Sequence, residues 1–137
     1  MPPDNLPVGI ERKEKPVKFL ALLPALLAVI GCTTAPSEVP ADPSYAADIQ
    51  TIFNNHCIQC HGNSGPPAGY SLTSHAGATG NGSDSIPNVI AGSADSSKLY
   101  RKVKGIETPQ MPFGQPALDT VKMATIRNWI NKGAKNN

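Results

Sequence analysis

Aromatic residues make up only 5% of this 137-residue chain, with a single Trp, whereas Pro and Gly number 14 and 12. So few rings and so many helix breakers leave room for one domain with a modest apolar core and long irregular segments. A bound apolar group would add buried surface that the side chains do not supply. A net charge of +2 is too small to argue for nucleic acid as a partner. No apolar run reaches the roughly 20 residues that a membrane-spanning helix needs. Cysteine is scarce and odd in number: Cys32, Cys57 and Cys60. Each thiol therefore needs a use of its own.

The N-terminus offers a use for Cys32. Residues 1–18 are polar and end in Arg12-Lys13-Glu14-Lys15-Pro16-Val17-Lys18, and the apolar run Phe19–Ile30 follows. That run has the length of a signal-peptide apolar region. It closes on Val29-Ile30-Gly31-Cys32, which resembles the lipobox of bacterial lipoproteins. The resemblance implies diacylglycerol on Cys32, cleavage before it and acylation of the new amino terminus. A buried helix or an uncleaved anchor are the alternatives. The polar stretch is long for a signal peptide, which suggests a start codon further downstream. Two or more acyl chains hold a protein stably to a membrane. The expected organisation is a signal peptide over 1–31, a lipidated Cys32 with a Pro-rich extended tether over 32–43, and a folded domain over 44–137. The expected location is lipid-anchored, on the periplasmic side of a bacterial membrane or at the outer membrane or cell surface.

Three main helices are predicted in that domain, joined by long loops and with no convincing strand, so its fold class is all-α. The first starts near Asp42-Pro43-Ser44, with Tyr45, Ile49, Ile52 and Phe53 at i, i+4, i+7 and i+8 forming one apolar stripe. Gly62 to Asn88 is rich in turn residues, with one short helical turn around Ser74–Ala78. A second helix is expected before Gly105, capped by Asp95 or Ser93, with Leu99, Tyr100 and Val103 inward. Pro109, Pro112 and Pro116 exclude helix around Met111. The last helix opens at Asp119 as N-cap and ends near Gly133, with Met123, Ile126, Trp129 and Ile130 on one face.

Chemistry concentrates in Cys57-Ile58-Gln59-Cys60-His61, into which the first helix runs. Two thiols three positions apart, followed directly by a histidine, are what covalent attachment of one c-type haem needs. Each thiol adds across a haem vinyl group, and the neutral imidazole of His61 can ligate the iron on the proximal side. A thioredoxin-like pair calls for a strand before the motif and a helix after it, whereas here a helix precedes and a Gly/Pro-rich loop follows. A zinc site calls for a second ligand pair, which His56 and His75 are poorly placed to supply. A Cys57–Cys60 disulfide leaves His61 unexplained.

An electron-transfer haem has both axial positions filled. The candidates for the second ligand are His56, His75, Met111 and Met123. His56 adjoins Cys57 and is held near the proximal side. Met123 falls on the apolar face of the last helix, where core packing accounts for it. His75 lies in a loop and is expected to face solvent. Met111 sits between prolines, where a rigid backbone can hold a weak thioether donor against iron, and it is the choice made here. An open or water-filled position is the alternative.

From Tyr45 to Ala134 the chain resembles the small monohaem domain called the Planctomycete-type cytochrome C domain, within the class I cytochrome c fold. The segments that carry the resemblance are Ile52 to Gly62, Gly69-Tyr70-Ser71-Leu72, Ala91 to Val103, Met111-Pro112 and Ile126 to Ala134. The resemblance implies His61 as proximal ligand, Met111 as distal ligand, and first and last helices that cross through Phe53 and Trp129. Phe113 stands where a second proline is common, and the Gly/Ser-rich segment Ala78 to Ser85 is long. The expected function is single-electron transfer by a membrane-tethered, monomeric monohaem cytochrome c. Its expected partners are redox proteins, with acidic ones steered by Lys98, Arg101, Lys102 and Lys104. The alternatives are a haem enzyme or sensor with an open or displaceable sixth site, and a binding module that keeps haem structurally.

Overall fold

The computed structural model describes residues 38–137. Cys32, the apolar run Phe19–Ile30 and the first half of the expected tether lie outside the described residues. Among the described residues there are helices and loops, no strand beyond one isolated antiparallel bridge between Asn81 and Pro87, and no helix long and apolar enough to cross a membrane.

The chain enters at Ser44, whose extended backbone precedes a wide π-helical turn, Tyr45–Ile49, that runs into helix α1, Gln50–His56. Ser44 Oγ accepts from the Ala47 N–H at 3.3 Å, and Asp48 Oδ2 accepts from the Ser44 N–H at 2.8 Å. This reciprocal cap satisfies backbone donors that a helix start otherwise leaves open. Tyr45, Ile49, Ile52 and Phe53 are all buried, as their spacing predicts. The packed unit reaches further back than residue 44. Pro43 is fully buried, and Asn128 donates to the Pro40 carbonyl at 2.9 Å, so part of the stretch read as tether lies on the domain.

Helix α4, Thr120–Asn131, opens at Asp119, whose Oδ1 accepts from the Lys122 N–H at 2.8 Å. It buries Ile126, Trp129 and Ile130 together with Thr125. Phe53 meets Trp129 edge to face, with ring centroids 6.5 Å apart and planes at 83°. Tyr45 lies 5.6 Å from the same indole. The Trp129 N–H, which burial alone would leave costly, donates to the Lys135 carbonyl at 2.9 Å. The last residue also closes onto the first turn: Asn137 O accepts from the Ala46 N–H at 3.0 Å and from Ser44 Oγ at 2.9 Å.

Between these ends, α2, His75–Thr79, is the short turn expected in the Gly-rich segment, capped by Ser74 Oγ on the Gly77 N–H at 3.1 Å. Gly77 is needed there, because a Cβ would lie 2.6 Å from the Ser71 carbonyl oxygen. Helix α3 spans Lys98–Lys104 and ends on Gly105, whose φ of +76° is left-handed. It starts later than expected, after Ser97 rather than Ser93 or Asp95. The Ser97 hydroxyl explains the delay: it accepts from the Ile90 N–H and donates to the Ser93 carbonyl, both at 2.8 Å, which holds residues 90–97 as a turn. Asp95 instead reaches Arg127 at 3.4 Å. Leu99, Tyr100 and Val103 point inward, as read from the sequence.

Candidate cofactor-binding site

The end of α1 does not stop at the first thiol. The N–H groups of Cys57 and Ile58 both donate to Phe53 O, at 2.8 and 3.0 Å, and those of Cys60 and His61 donate to Cys57 O, at 3.1 and 2.8 Å. The motif is thus wound as a further helical turn, anchored by a fully buried Phe53. Ile58 packs against the core, while Cys57, Cys60 and His61 line a cavity of about 490 Å³. Both thiols are free. Burial pushes the Cys57 thiol up to about 11, so it stays protonated at neutral pH. Among the described residues no group of three or more His, Cys, Asp or Glu gathers around a common point, so the thiol pair has no second ligand pair within reach.

His61 is oriented by a backbone carbonyl. Its Nδ1 lies 2.8 Å from Tyr70 O. A carbonyl can only accept, so Nδ1 carries the proton and Nε2 keeps its lone pair for a metal. The His61 carbonyl in turn accepts from the Leu72 N–H at 2.8 Å. Residues 70–72 therefore clip the imidazole from two sides. Tyr70 is itself pinned by its hydroxyl, which donates to Ala78 O at 2.7 Å. Tyr70 and Leu72 both line the cavity.

Burial raises the Tyr70 phenol well above its ordinary range, and charge on Cys57 and Tyr45 adds to the rise. Burial raises Tyr45 as well. The folded state thus keeps these phenols neutral where the unfolded chain ionises, above about pH 10. Stability is complete below that pH and falls as pH climbs past it, by about 1.4 kcal/mol per unit for the buried Tyr70 and by less for Tyr45. Denaturant unfolding of the protein and of Tyr70→Phe between about pH 9 and 11 is expected to show a shallower decline in the variant. Equal declines would remove Tyr70 from the account.

The opposing wall comes from α3 and the Pro-rich loop. Leu99 and Val103 face the cavity, and Met111 lines it half-buried. The Met111 N–H donates to Lys102 O at 3.0 Å, and Lys102 Nζ donates to Thr108 O at 2.5 Å. The loop is therefore tied at two points to one residue of α3. Cys57, Cys60, His61 and Met111, far apart in sequence, share one cavity.

The other candidates go elsewhere. His56 is exposed at the edge of this cavity and of a smaller neighbouring one of about 250 Å³. Met123 packs against the core. His75 does not face solvent, as its loop setting suggested. Its Nε2 lies 2.7 Å from Ala134 O, and its ring stands edge-on to Tyr45 at 4.9 Å and to Trp129 at 6.0 Å. It is a half-buried core residue because α2 carries it onto the turn after α4. Asp84 and Asn88 line the cavity without having been singled out in the sequence, and so do two cations of α3, Lys98 and Lys102. The lysines were read as outward cations, although each directly precedes an inward residue, Leu99 and Val103, and that neighbourhood was the available clue.

A family model described as Planctomycete cytochrome C matches residues 57–112. Over that stretch the chain is similar to a cytochrome c-type domain. The match runs from the first thiol of the motif through Met111-Pro112, the span that walls the cavity; α1 and α4 lie outside it and join it through the shared core. No curated protein and no solved structure matches the chain. A cytochrome c-type domain implies haem c and haem-based electron transfer. The residues present fit that group. The cavity has the size of a cofactor site, roughly 300–1,000 Å³, and its donor set is two free thiols, an imidazole with Nε2 open, and a thioether.

Proposed function

We propose that the protein is a monohaem cytochrome c that carries single electrons, with Cys57 and Cys60 as the covalent attachment points and His61 and Met111 as axial ligands. The observation that carries this reading is the imidazole of His61, its Nδ1 held by Tyr70 O at 2.8 Å, in one cavity with both thiols and Met111. When bound, haem supplies a one-electron ferric/ferrous couple.

The chain's part is to hold that couple steady. Tyr70 O fixes the tautomer and the plane of His61 and raises the basicity of Nε2. Met111 offers a soft donor that favours ferrous over ferric iron and so raises the potential. The backbone bond from Met111 N–H to Lys102 O holds the Met111 loop to α3. Leu72, Leu99 and Val103 keep water from the cavity. We further propose a class I cytochrome c arrangement of the helices, a lipid anchor on Cys32 on the periplasmic side of a bacterial membrane or at its outer membrane or surface, and a monomeric protein that meets redox partners. Acidic partners would be steered by Arg101 and Lys104, the members of the α3 cluster that do not line the cavity.

The test is an absorption spectrum of the purified, exported protein in both oxidation states, followed by denaturation. One haem that stays with the denatured chain, reversible reduction, and a weak near-infrared charge-transfer band in the ferric form are expected. Haem released on denaturation would remove the thioether attachment. A ferric spectrum without that band would remove the thioether ligand.

A further inference from the structure

Lys98 and Lys102 stand one turn apart on α3, and both line the cavity. Side chains at i and i+4 have their Cβ atoms about 5–6 Å apart on one helix face. Most of each side chain is covered, with 24% and 20% left exposed. Their methylene stems are packed along the protein while the ammonium groups stay at the exposed rim, where they can reach a ligand carboxylate. Each has a carboxylate now: Asp84 on Lys98, and Glu107 on Lys102 at 3.3 Å.

Those two anions do not depend on the lysines alone. Asp84 Oδ1 also accepts from the Ile86 N–H at 3.1 Å, and Glu107 is also 3.5 Å from Arg101 Nε. If Lys98 and Lys102 turn toward the cavity, both carboxylates keep a partner; Thr108 O gives up the Lys102 ammonium, and the Met111 loop keeps its backbone bond to Lys102 O. The other α3 residues on the cavity, Leu99 and Val103, are apolar, and Asp84 and Asn88 line it as well. A haem has its two vinyl groups on one edge and its two propionate carboxylates on the opposite edge. Once Cys57 and Cys60 take the vinyl edge, the carboxylates face a wall that carries no thiol. Resting on the haem reading above, we propose that Lys98 and Lys102 are the propionate-binding pair of this site, one ammonium for each carboxylate. Two of the four cations that the sequence offers as a docking cluster thereby become cofactor-positioning residues.

The test uses the exported full-length holoprotein, with haem labelled with 13C at its propionate carboxylates. Potentiometric titration and redox-difference infrared spectra compare the protein with Lys98→Gln, Lys102→Gln and the double variant. Lys132→Gln, at the exposed end of α4, controls for loss of one surface charge. Loss of a cation beside a propionate leaves more negative charge near the iron and favours the ferric state. The midpoint potential is therefore expected to fall in each single variant and further in the double, with the labelled carboxylate bands shifted, while Lys132→Gln leaves both unchanged. Lys98→Arg and Lys102→Arg, which retain the charge, are expected to keep the wild-type potential. Potentials and labelled bands in the glutamine variants that match Lys132→Gln would overturn the assignment, as would arginine variants that fall as far as the glutamine ones. A parent protein without the His/Met spectrum is a separate result, and it would strike the haem ligation rather than this pair.

Discussion

Met111→Leu is expected to lower the midpoint potential by on the order of 100 mV and to abolish the near-infrared band of the ferric protein, with the haem still covalently attached. Leucine occupies a volume close to that of methionine, and such swaps in packed sites cost less than about 1.5 kcal/mol. The ties that shape the loop, Met111 N–H to Lys102 O and the Lys102 ammonium to Thr108 O, use no atom of the Met111 side chain, and both survive the substitution. Cys57 and Cys60 are untouched. What disappears is the thioether, which stabilises ferrous iron; a hundredfold loss of that preference is about 120 mV for a one-electron couple. A variant that keeps both band and potential would show that Met111 only lines the cavity. The electron-transfer reading would then lose its main support, and a displaceable sixth position would take its place.

Trp129→Ala is expected to destabilise the protein by about 3–5 kcal/mol, the range for deleting a buried aromatic. For a domain of this size that is a fall of roughly 15–30 °C in thermal midpoint. Trp129 is 1% exposed and touches rings from three segments: Phe53 of α1, Tyr45 of the opening turn, and His75 of α2. Its N–H also holds the Lys135 carbonyl. The truncation opens a cavity and removes a hydrogen-bond donor at once. Because Phe53 O accepts the N–H groups of Cys57 and Ile58, loosening of Phe53 reaches the attachment motif. Thermal unfolding followed by circular dichroism checks the prediction, and a loss below about 1 kcal/mol would mean that the α1–α4 crossing is not the centre of the core. Trp129→Phe, which keeps a ring, is expected to lose less.

Local readings succeeded where chemistry and spacing act within one helix. Asp119 caps α4 because a carboxylate just before an apolar-periodic run meets the open N–H groups of the first turn. Tyr45, Ile49, Ile52 and Phe53 are buried because their spacing puts them on one face. His75 resisted such a reading. Nothing in Ser74-His75-Ala76-Gly77 announces that the ring will meet Trp129 and bind Ala134 O, residues more than fifty positions away. The start of α3 was misplaced for a similar reason, since the Ser97 hydroxyl is taken by Ile90 and Ser93 across a turn that has no periodicity.

By itself the sequence determined the chemistry on offer: two thiols and an imidazole at attachment spacing, a thioether between prolines, and helices with one apolar face each. Those are properties of neighbouring residues, and covalent geometry and helical period settle them. Only the tertiary structure decided which groups meet. It put the Tyr70 carbonyl on His61 Nδ1, gathered Cys57, Cys60, His61 and Met111 around one cavity, and set Lys98 and Lys102 on its lining. Those placements follow from packing α1 and α4 across each other and drawing long loops over the core, and the free energy of such contacts between distant residues leaves no periodic trace in the chain.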